Sequence, residues 1–204
     1  MLFDDTYLTI AGPAEGIFRD RGSKFMGFAF PTTEQSEIKS IVANLQKDHP
    51  KANHHCWAAR WTTDKSVFRL NDDGEPSGTA GRPILNTLLS RNLTNTAIVV
   101  VRYFGGTLLG VPGLINAYKT AAEAALDNSR VVEKTLNDVY TLSFEYLQMN
   151  DVMRLVKDEN LEILSQAFDN QCQLNVSVRK MQVNHFLAKV EKLTLVSAKY
   201  GYSI

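Results

Sequence analysis

Two nearby stretches constrain this chain more than anything else in it. Asn71 to Pro83 reads Asn-Asp-Asp-Gly-Glu-Pro-Ser-Gly-Thr-Ala-Gly-Arg-Pro, and Arg102 to Gly113 reads Arg-Tyr-Phe-Gly-Gly-Thr-Leu-Leu-Gly-Val-Pro-Gly. Each joins an extended apolar segment to a helical one. Glycine permits positive φ and close backbone approach, and proline fixes φ, so loops rich in both are shaped, not floppy. A chain that needed only to turn would use a short polar link. These loops therefore mark the candidate site.

Around them the pattern is α+β. Thr6 to Ala11 and Ile17 to Phe30, the latter broken by Asp20-Arg21-Gly22-Ser23, read as strands of a meander or hairpin. Thr32 and Gln35 have capping-box spacing, and Ile38, Ile41, Val42 and Leu45 then share one helical face that Pro50 closes. Asn53 to Trp61 reads as a strand with Trp57, Ala59 and Trp61 on one face, and Val67 to Leu70 as a shorter one. Pro83 is placed to start a helix over Ile84 to Arg91. Ala97 to Val101 is apolar throughout, which predicts a strand covered on both faces. Leu114, Tyr118, Ala121 and Ala125 mark one face of a long alanine-rich helix reaching about Ser129.

Val131 to Asn137 reads as a connector, after which the pattern restarts. Val139 to Phe144, Asn150 to Glu159, Leu161 to Phe168, Gln171 to Arg179, Val183 to Leu193 and Leu195 to Lys199 alternate as β-α-β-β-α-β, the ferredoxin-like order, with a turn at Asp169-Asn170. Two domains are expected, 1–133 and 134–204, each near the ~100-residue scale of a domain. The third strand of the second domain alternates Cys172, Leu174, Val176 and Val178 with a polar face of Gln171, Gln173, Asn175, Ser177 and Arg179. An RNA-recognition module would carry stacking aromatics there, and this strand has none.

The 22 basic and 22 acidic residues balance, and division after Glu133 leaves 14 of each before the cut and 8 of each after it. Neither half is a polybasic nucleic-acid binder, so any contact with a polyanion must come from a local patch. Cys56 and Cys172 lie far apart without metal-type spacing and read as reduced thiols of a cytosolic protein. The chain opens on acids where a signal peptide needs positive charge, and no apolar run approaches the ~18 residues of a membrane span. A cytoplasmic protein with no membrane contact is expected.

The chemistry of the two loops turns on the long helix. No Ser, Thr, Asp or Asn immediately precedes it and its first acid is Glu123, so its leading amides and positive dipole end have no local partner. One reading folds Asp72, Asp73 and Glu75 across to cap it while pairing with Arg82 and Arg102. The other leaves a pocket for a bound phosphate, sulfate or carboxylate. Arg82, Arg102 and Lys119 would then supply charge, Ser77 and Thr79 hydroxyls, and Gly105, Gly106, Gly110 and Gly113 close backbone approach, with Tyr103 and His54 lining the cleft. Neither stretch is a Walker loop, because Gly105 to Gly110 is followed by Val-Pro and not Lys-Ser/Thr. His54 and His55 are adjacent on a strand and point to opposite faces, so they do not make a metal site, and no metal or cofactor is expected. His55, on the face of Trp57 and Trp61, reads as a hydrogen-bonded core histidine. No catalytic nucleophile is assigned.

Taken together, Asp72 to Pro83, Arg102 to Gly110, Gly113-Leu114 and Ala117-Tyr118 closely resemble the signature of the IMPACT/YigZ family, and His54-His55-Cys56-Trp57 is similar to its pattern on the preceding strand. The resemblance covers nearly the whole chain. Pro112 stands where the family pattern usually has glycine, which stiffens the helix start. The resemblance implies a first domain folded like domain two of ribosomal protein five of the small subunit, with a left-handed β-α-β crossover. It implies a second, ferredoxin-like domain resembling the last domain of elongation factor G. Eukaryotic relatives act in translational control by competing for the activator of an amino-acid-starvation kinase. Two function classes follow. The first is a non-enzymatic protein that binds the ribosome, RNA or a translation-factor partner through these loops. The second is an enzyme or binder acting on a small phosphorylated or carboxylated ligand at the same place, by analogy of fold class with sugar- and mevalonate-type kinases. Oligomeric state is not legible from the chain.

Overall fold

The computed structural model describes residues 5–62, 66–169 and 171–204. Two compact units divide the chain, one of Tyr7–Lys134 and one of Thr135–Ile204 together with Asp5 and Thr6.

In the larger unit, β1 (Thr6–Ile10) precedes an antiparallel hairpin of β2 (Ala14–Asp20) and β3 (Ser23–Pro31), whose register sets Gly16 opposite Gly27. With β4 (His54–Trp61), β5 (Val67–Asn71) and β6 (Thr96–Tyr103) the hairpin forms a five-stranded sheet of order β2-β3-β6-β4-β5. Neighbouring strands are antiparallel throughout. Hence β3 and β4 run parallel across β6, joined by α1 (Glu37–Asp48), and β5 and β6 run parallel across β4, joined by α2 (Gly81–Ser90).

The central strand β6 is buried on both faces, as its unbroken apolar run predicts. Ile98 and Val100 pack with α2 and with α3 (Gly110–Asp127), whereas Ala97, Val99 and Val101 pack with Ile38 and Leu45 of α1. Ala117, Ala121, Ala122 and Ala125 of α3 are fully buried, and beneath that helix lies the paired Gly16 and Gly27. Small residues on both surfaces let helix and sheet approach at backbone distance.

Three local expectations fail for identifiable reasons. Helix α1 begins at Glu37, not at a Thr32/Gln35 box: the Glu37 carboxylate accepts the Glu34 amide at 2.9 Å, and the Gln35 side chain is engaged by Arg69 Nε at 2.9 Å. Helix α2 begins at Gly81, so Pro83 is its third residue, still within the first turn where a missing amide breaks no helical bond. The supposed connector is a strand, β7 (Val131–Thr135), and it pairs with β1, so β1 joins no meander with β2. All but one of its residues are exposed, so it carries no buried alternation that a sequence could display.

In the smaller unit, β8 (Asn137–Phe144), α4 (Met149–Asp158), β9 (Glu162–Phe168), β10 (Cys172–Arg179), α5 (Val183–Val190) and β11 (Val196–Ser203) build an antiparallel sheet of order β11-β8-β10-β9. Both helices press on one face, where Val152, Leu155, Val156, Phe186 and Val190 meet Leu142, Phe144, Leu174 and Val176. The opposite face carries a polar chain across three strands, Thr141 Oγ1 donating to Asn175 Oδ1 at 2.6 Å and Asn175 Nδ2 to Ser165 Oγ at 2.8 Å. Two expected members of that solvated face are otherwise employed. Ser177 is buried, and Arg179 makes a two-pronged contact of 2.8 and 2.9 Å with the buried Asp5 carboxylate. Asn170 of the expected turn, and residues 1–4, lie outside the described residues.

Candidate functional site

The acidic loop is held by its own carboxylates. Asp72 accepts the amides of Gly78 at 2.9 Å, Ala80 at 3.1 Å and Gly81 at 2.8 Å, so it caps α2 and not the long helix α3. Burial alone would raise its pKa, but the three amides of Gly78, Gly81 and Ala80 together outweigh that and hold it below the usual value. Asp73, at a φ of 43°, accepts the His55 amide at 2.6 Å, and its own carbonyl accepts from His54 Nδ1 at 2.7 Å. Thr79 is buried and bonds the Pro76 carbonyl at 2.6 Å, while Ser77 is exposed on the loop's outer side.

A testable consequence follows for Asp72. Asp72→Ala should lose about 1 kcal/mol at neutral pH, the typical worth of a helix cap. Because the folded-state pKa is lowered, the carboxylate's contribution is present above the unfolded value and is lost as pH falls through the folded one. The gap between wild-type and variant urea midpoints should therefore narrow on going from pH 7 to pH 3. A gap that widens in acid would contradict this role.

Glu75 turns inward. It is 9% exposed, and its Oε1 accepts from Arg102 Nη1 at 2.5 Å and from the Tyr118 hydroxyl at 2.7 Å, with His54 Nε2 3.8 Å away. The Arg102 guanidinium lies over the rings of both Phe25 and Phe104, at 5.2 and 5.4 Å from their centroids. Its Nε is buried without a hydrogen-bond partner. Beside this cluster, the Cys56 thiol donates to the Asp72 carbonyl at 2.9 Å and lies 3.4 Å from the Tyr118 hydroxyl. Burial pushes the thiol pKa and the Tyr118 hydroxyl pKa far above their ordinary values. With both cysteines buried, a disulfide-exchange reagent at pH 8 should find no fast thiol in native protein and two in urea. One fast native thiol would refute the inert assignment of Cys56.

The glycine-rich loop forms the other wall. Gly105 donates its amide to Ser23 Oγ at 3.1 Å, and Gly106 and Gly110 take left-handed φ values of 86° and 70°. Helix α3 then starts with no side-chain cap and no acid in its first turn, Gly113 among its opening residues. Together the two loops enclose a cleft of about 420 Å³. Its floor is Glu75, Arg102 and His54, and its rim is apolar, with Leu108 82% exposed and Phe104 and Val111 also open to solvent.

Not every expected residue arrives. Tyr103 points to the opposite face of the sheet, where its hydroxyl meets His49 Nδ1 at 2.9 Å. Lys119 is exposed and sits 3.7 Å from Glu123 on its own helix. Arg82 is exposed and lines a different groove. The three-cation clamp proposed for a phosphate is therefore not assembled, and Arg102 alone reaches the cleft, already paired. His55 is buried, and its ring hydrogen-bonds to the backbone of Leu45 and His49, as expected of a hydrogen-bonded core histidine; its Nδ1 is 3.9 Å from Asp73 and its Nε2 has no hydrogen-bond partner. Desolvation lowers its pKa. Sequence reasoning missed Asn53, Pro76, Phe104, Leu108, Leu109, Val111 and Leu114 as lining residues, and Tyr118 as the buried hydroxyl that holds Glu75 from beneath the floor. For Tyr118 a signal existed, a single hydroxyl on an otherwise alanine-lined helix face.

Comparison with known proteins places these features. Residues 21–126 match the Impact N-terminal domain family. A protein of Haemophilus influenzae described as an IMPACT family member is 35% identical over 173 residues, covering 82% of each chain. The Escherichia coli K12 IMPACT family member YigZ is 32% identical over 188 residues, or 91% of this chain and 92% of its own. The match extends to the Protein IMPACT homolog of Saccharomyces cerevisiae, 34% identical over 112 residues, which is 52% of this chain and 43% of that protein. A crystal structure of a hypothetical protein superposes with a TM-score of 0.73 at 30% identity, covering 97% of both chains.

Proposed function

From the premise that this chain belongs to the IMPACT family, we propose that it is a cytoplasmic, translation-associated regulatory protein that works by docking a partner in the cleft between its two loops, without turnover of a substrate. The translational part rests on kinship, since the family's eukaryotic members, as the sequence resemblance implies, act in translational control. Among the described residues no helix is long and apolar enough to cross a membrane.

The observation that carries the docking reading is the contrast between floor and rim. The floor's charges answer one another, Glu75 with Arg102 and Tyr118, while Leu108, Val111 and Phe104 stand open above it. A contiguous apolar rim around a neutralised base is what an apolar side chain of a protein partner buries. Of ribosome, RNA and protein factor, a protein surface, free or ribosomal, is thus favoured here. A photocrosslinking amino acid in place of Leu108 should yield an adduct with a ribosomal protein or translation factor, and Leu108→Glu should weaken cosedimentation with ribosomes at least tenfold. Absence of both adduct and cosedimentation at low salt would remove the reading.

The fold details implied by kinship have support of their own. The crossovers β3-α1-β4 and β5-α2-β6 step in opposite directions, over opposite faces, between strand pairs of opposite sense. Two such crossovers are of opposite hand, which supports a left-handed β-α-β unit against the usual preference. The order β11-β8-β10-β9 with both helices on one face supports the ferredoxin-like reading of the smaller unit.

A small phosphorylated or carboxylated ligand remains as a second reading through two features, the uncapped start of α3 and the buried, unpaired Arg102 Nε. Titration calorimetry with inorganic phosphate distinguishes it: saturable binding that Arg102→Lys abolishes would favour this reading over docking.

A further inference from the structure

A second, wider cavity of the larger unit lies away from the cleft. It is an open groove of about 860 Å³ running along β5, the edge strand of the five-stranded sheet, between the start of α1 and the start of α2. Its chemistry differs from that of the cleft. Lys39, Arg69 and Arg82 line it, no acidic residue among the described residues does, and all three cations are exposed. Between them stand two aromatic faces, Phe68, 47% exposed, and the half-buried Trp57. Arg69 is oriented by its Nε bond to Gln35 at 2.9 Å, so at least one cation is held in place.

We propose that this groove binds a single-stranded nucleic acid segment, with a base stacked on Phe68 or Trp57 and the phosphates met by Lys39, Arg69 and Arg82. Three observations select that occupant. A chain with zero net charge has gathered three cations and, among the described residues, no acid around one groove, so the complement is a polyanion. Exposed aromatics among those cations are the stacking surface that unpaired bases use and that a duplex, with its bases already stacked, does not need. The third is the exposure of Phe68 on an edge strand whose Val67 and Leu70 pack into the cores on opposite faces of the sheet, which leaves its ring face available. An acidic extended peptide added to the β5 edge would satisfy the cations as well, but it would leave the rings without a role. The inference stands independently of the cleft, because neither Phe68 nor any of the three cations lines it.

Fluorescence anisotropy with the full-length protein and a labelled twelve-nucleotide strand of mixed sequence tests this, with arms of single-stranded RNA, single-stranded DNA of the same sequence, duplex RNA and polyglutamate. Single strands should bind and duplex should bind more weakly, the RNA and DNA arms showing which sugar is preferred. With three phosphates neutralised, log Kobs against log[salt] should have a slope of about −2, and in Arg69→Gln/Arg82→Gln a slope of about −0.7. Phe68→Ala should weaken binding by about 5- to 150-fold, the range for losing one stacked base. All three substituted positions are exposed, so an unchanged melting curve verifies the fold. No binding to single strands at low salt would overturn the proposal. So would polyglutamate binding as tightly as RNA with Phe68→Ala silent, an outcome that assigns the groove to acidic peptides.

Discussion

Arg102→Ala should cost the larger unit about 3–5 kcal/mol, the loss typical of removing one partner from a buried ion pair. The reason is what the substitution leaves behind. Glu75 keeps only the Tyr118 hydroxyl at 2.7 Å and His54 at 3.8 Å, and its side chain has almost no access to water. A carboxylate in that position is desolvated without compensation. Phe25 and Phe104 also lose the guanidinium that lies over their rings. Against a total stability of roughly 5–15 kcal/mol, the shift in urea midpoint is large. Tyr118→Phe removes one neutral donor and should cost less, about 1–3 kcal/mol. The informative variant is the double replacement Glu75→Gln/Arg102→Met, which removes both charges and should recover most of the loss. If the single variant unfolds at the wild-type urea concentration, Glu75 is not an uncompensated buried charge, and the neutralised floor on which the docking reading stands is gone.

The same cluster shows how far a sequence reaches. That the two loops border one cleft was inferable, because an uncapped glycine-rich helix start and an upstream run of acids make complementary demands. The detailed assignment was different, with Asp72 on α2, Glu75 on Arg102, and no carboxylate on α3. Which acid goes where depends on the turn conformation of Asp73 and Gly74, both with positive φ, and composition does not specify that. Other misplacements were legible in principle. On a strand Arg102 and Tyr103 must face opposite sides, so a loop served by one is not served by the other. On a helix Lys119 follows Tyr118 by about a quarter turn, and with Tyr118 in the core Lys119 is sent to solvent. The exposed rim of Leu108 and Val111 was harder to see, since isolated apolar residues in a loop or at a helix start look like core until burial is known.

Gly27→Val should be as damaging as the loss of Arg102, for a reason that lies in the backbone. Gly16 and Gly27 face each other across the β2–β3 hairpin, and a Cβ built on either would fall inside the van der Waals envelope of the α3 main chain, at Ala124 for Gly16 and at Ala121 for Gly27. A flexible side chain could swing aside, but main chain cannot. The helix would have to lift, and every buried alanine of α3 would lose contact with the sheet together. The expected cost for Gly27→Ala is about 3 kcal/mol, the upper end for overpacking, and Gly27→Val should exceed it. Gly12→Ala is the control, for its Cβ would meet nothing within 4 Å and the change should stay within about 0.5 kcal/mol. Lifting α3 also moves the start of that helix, which forms one wall of the cleft, so at permissive temperature Gly27→Ala should impair partner docking while leaving nucleic-acid binding at β5 intact. Equal stability of the Gly12 and Gly27 alanine variants would mean that α3 does not rest on the sheet at backbone distance, and the alanine-rich face would need another explanation.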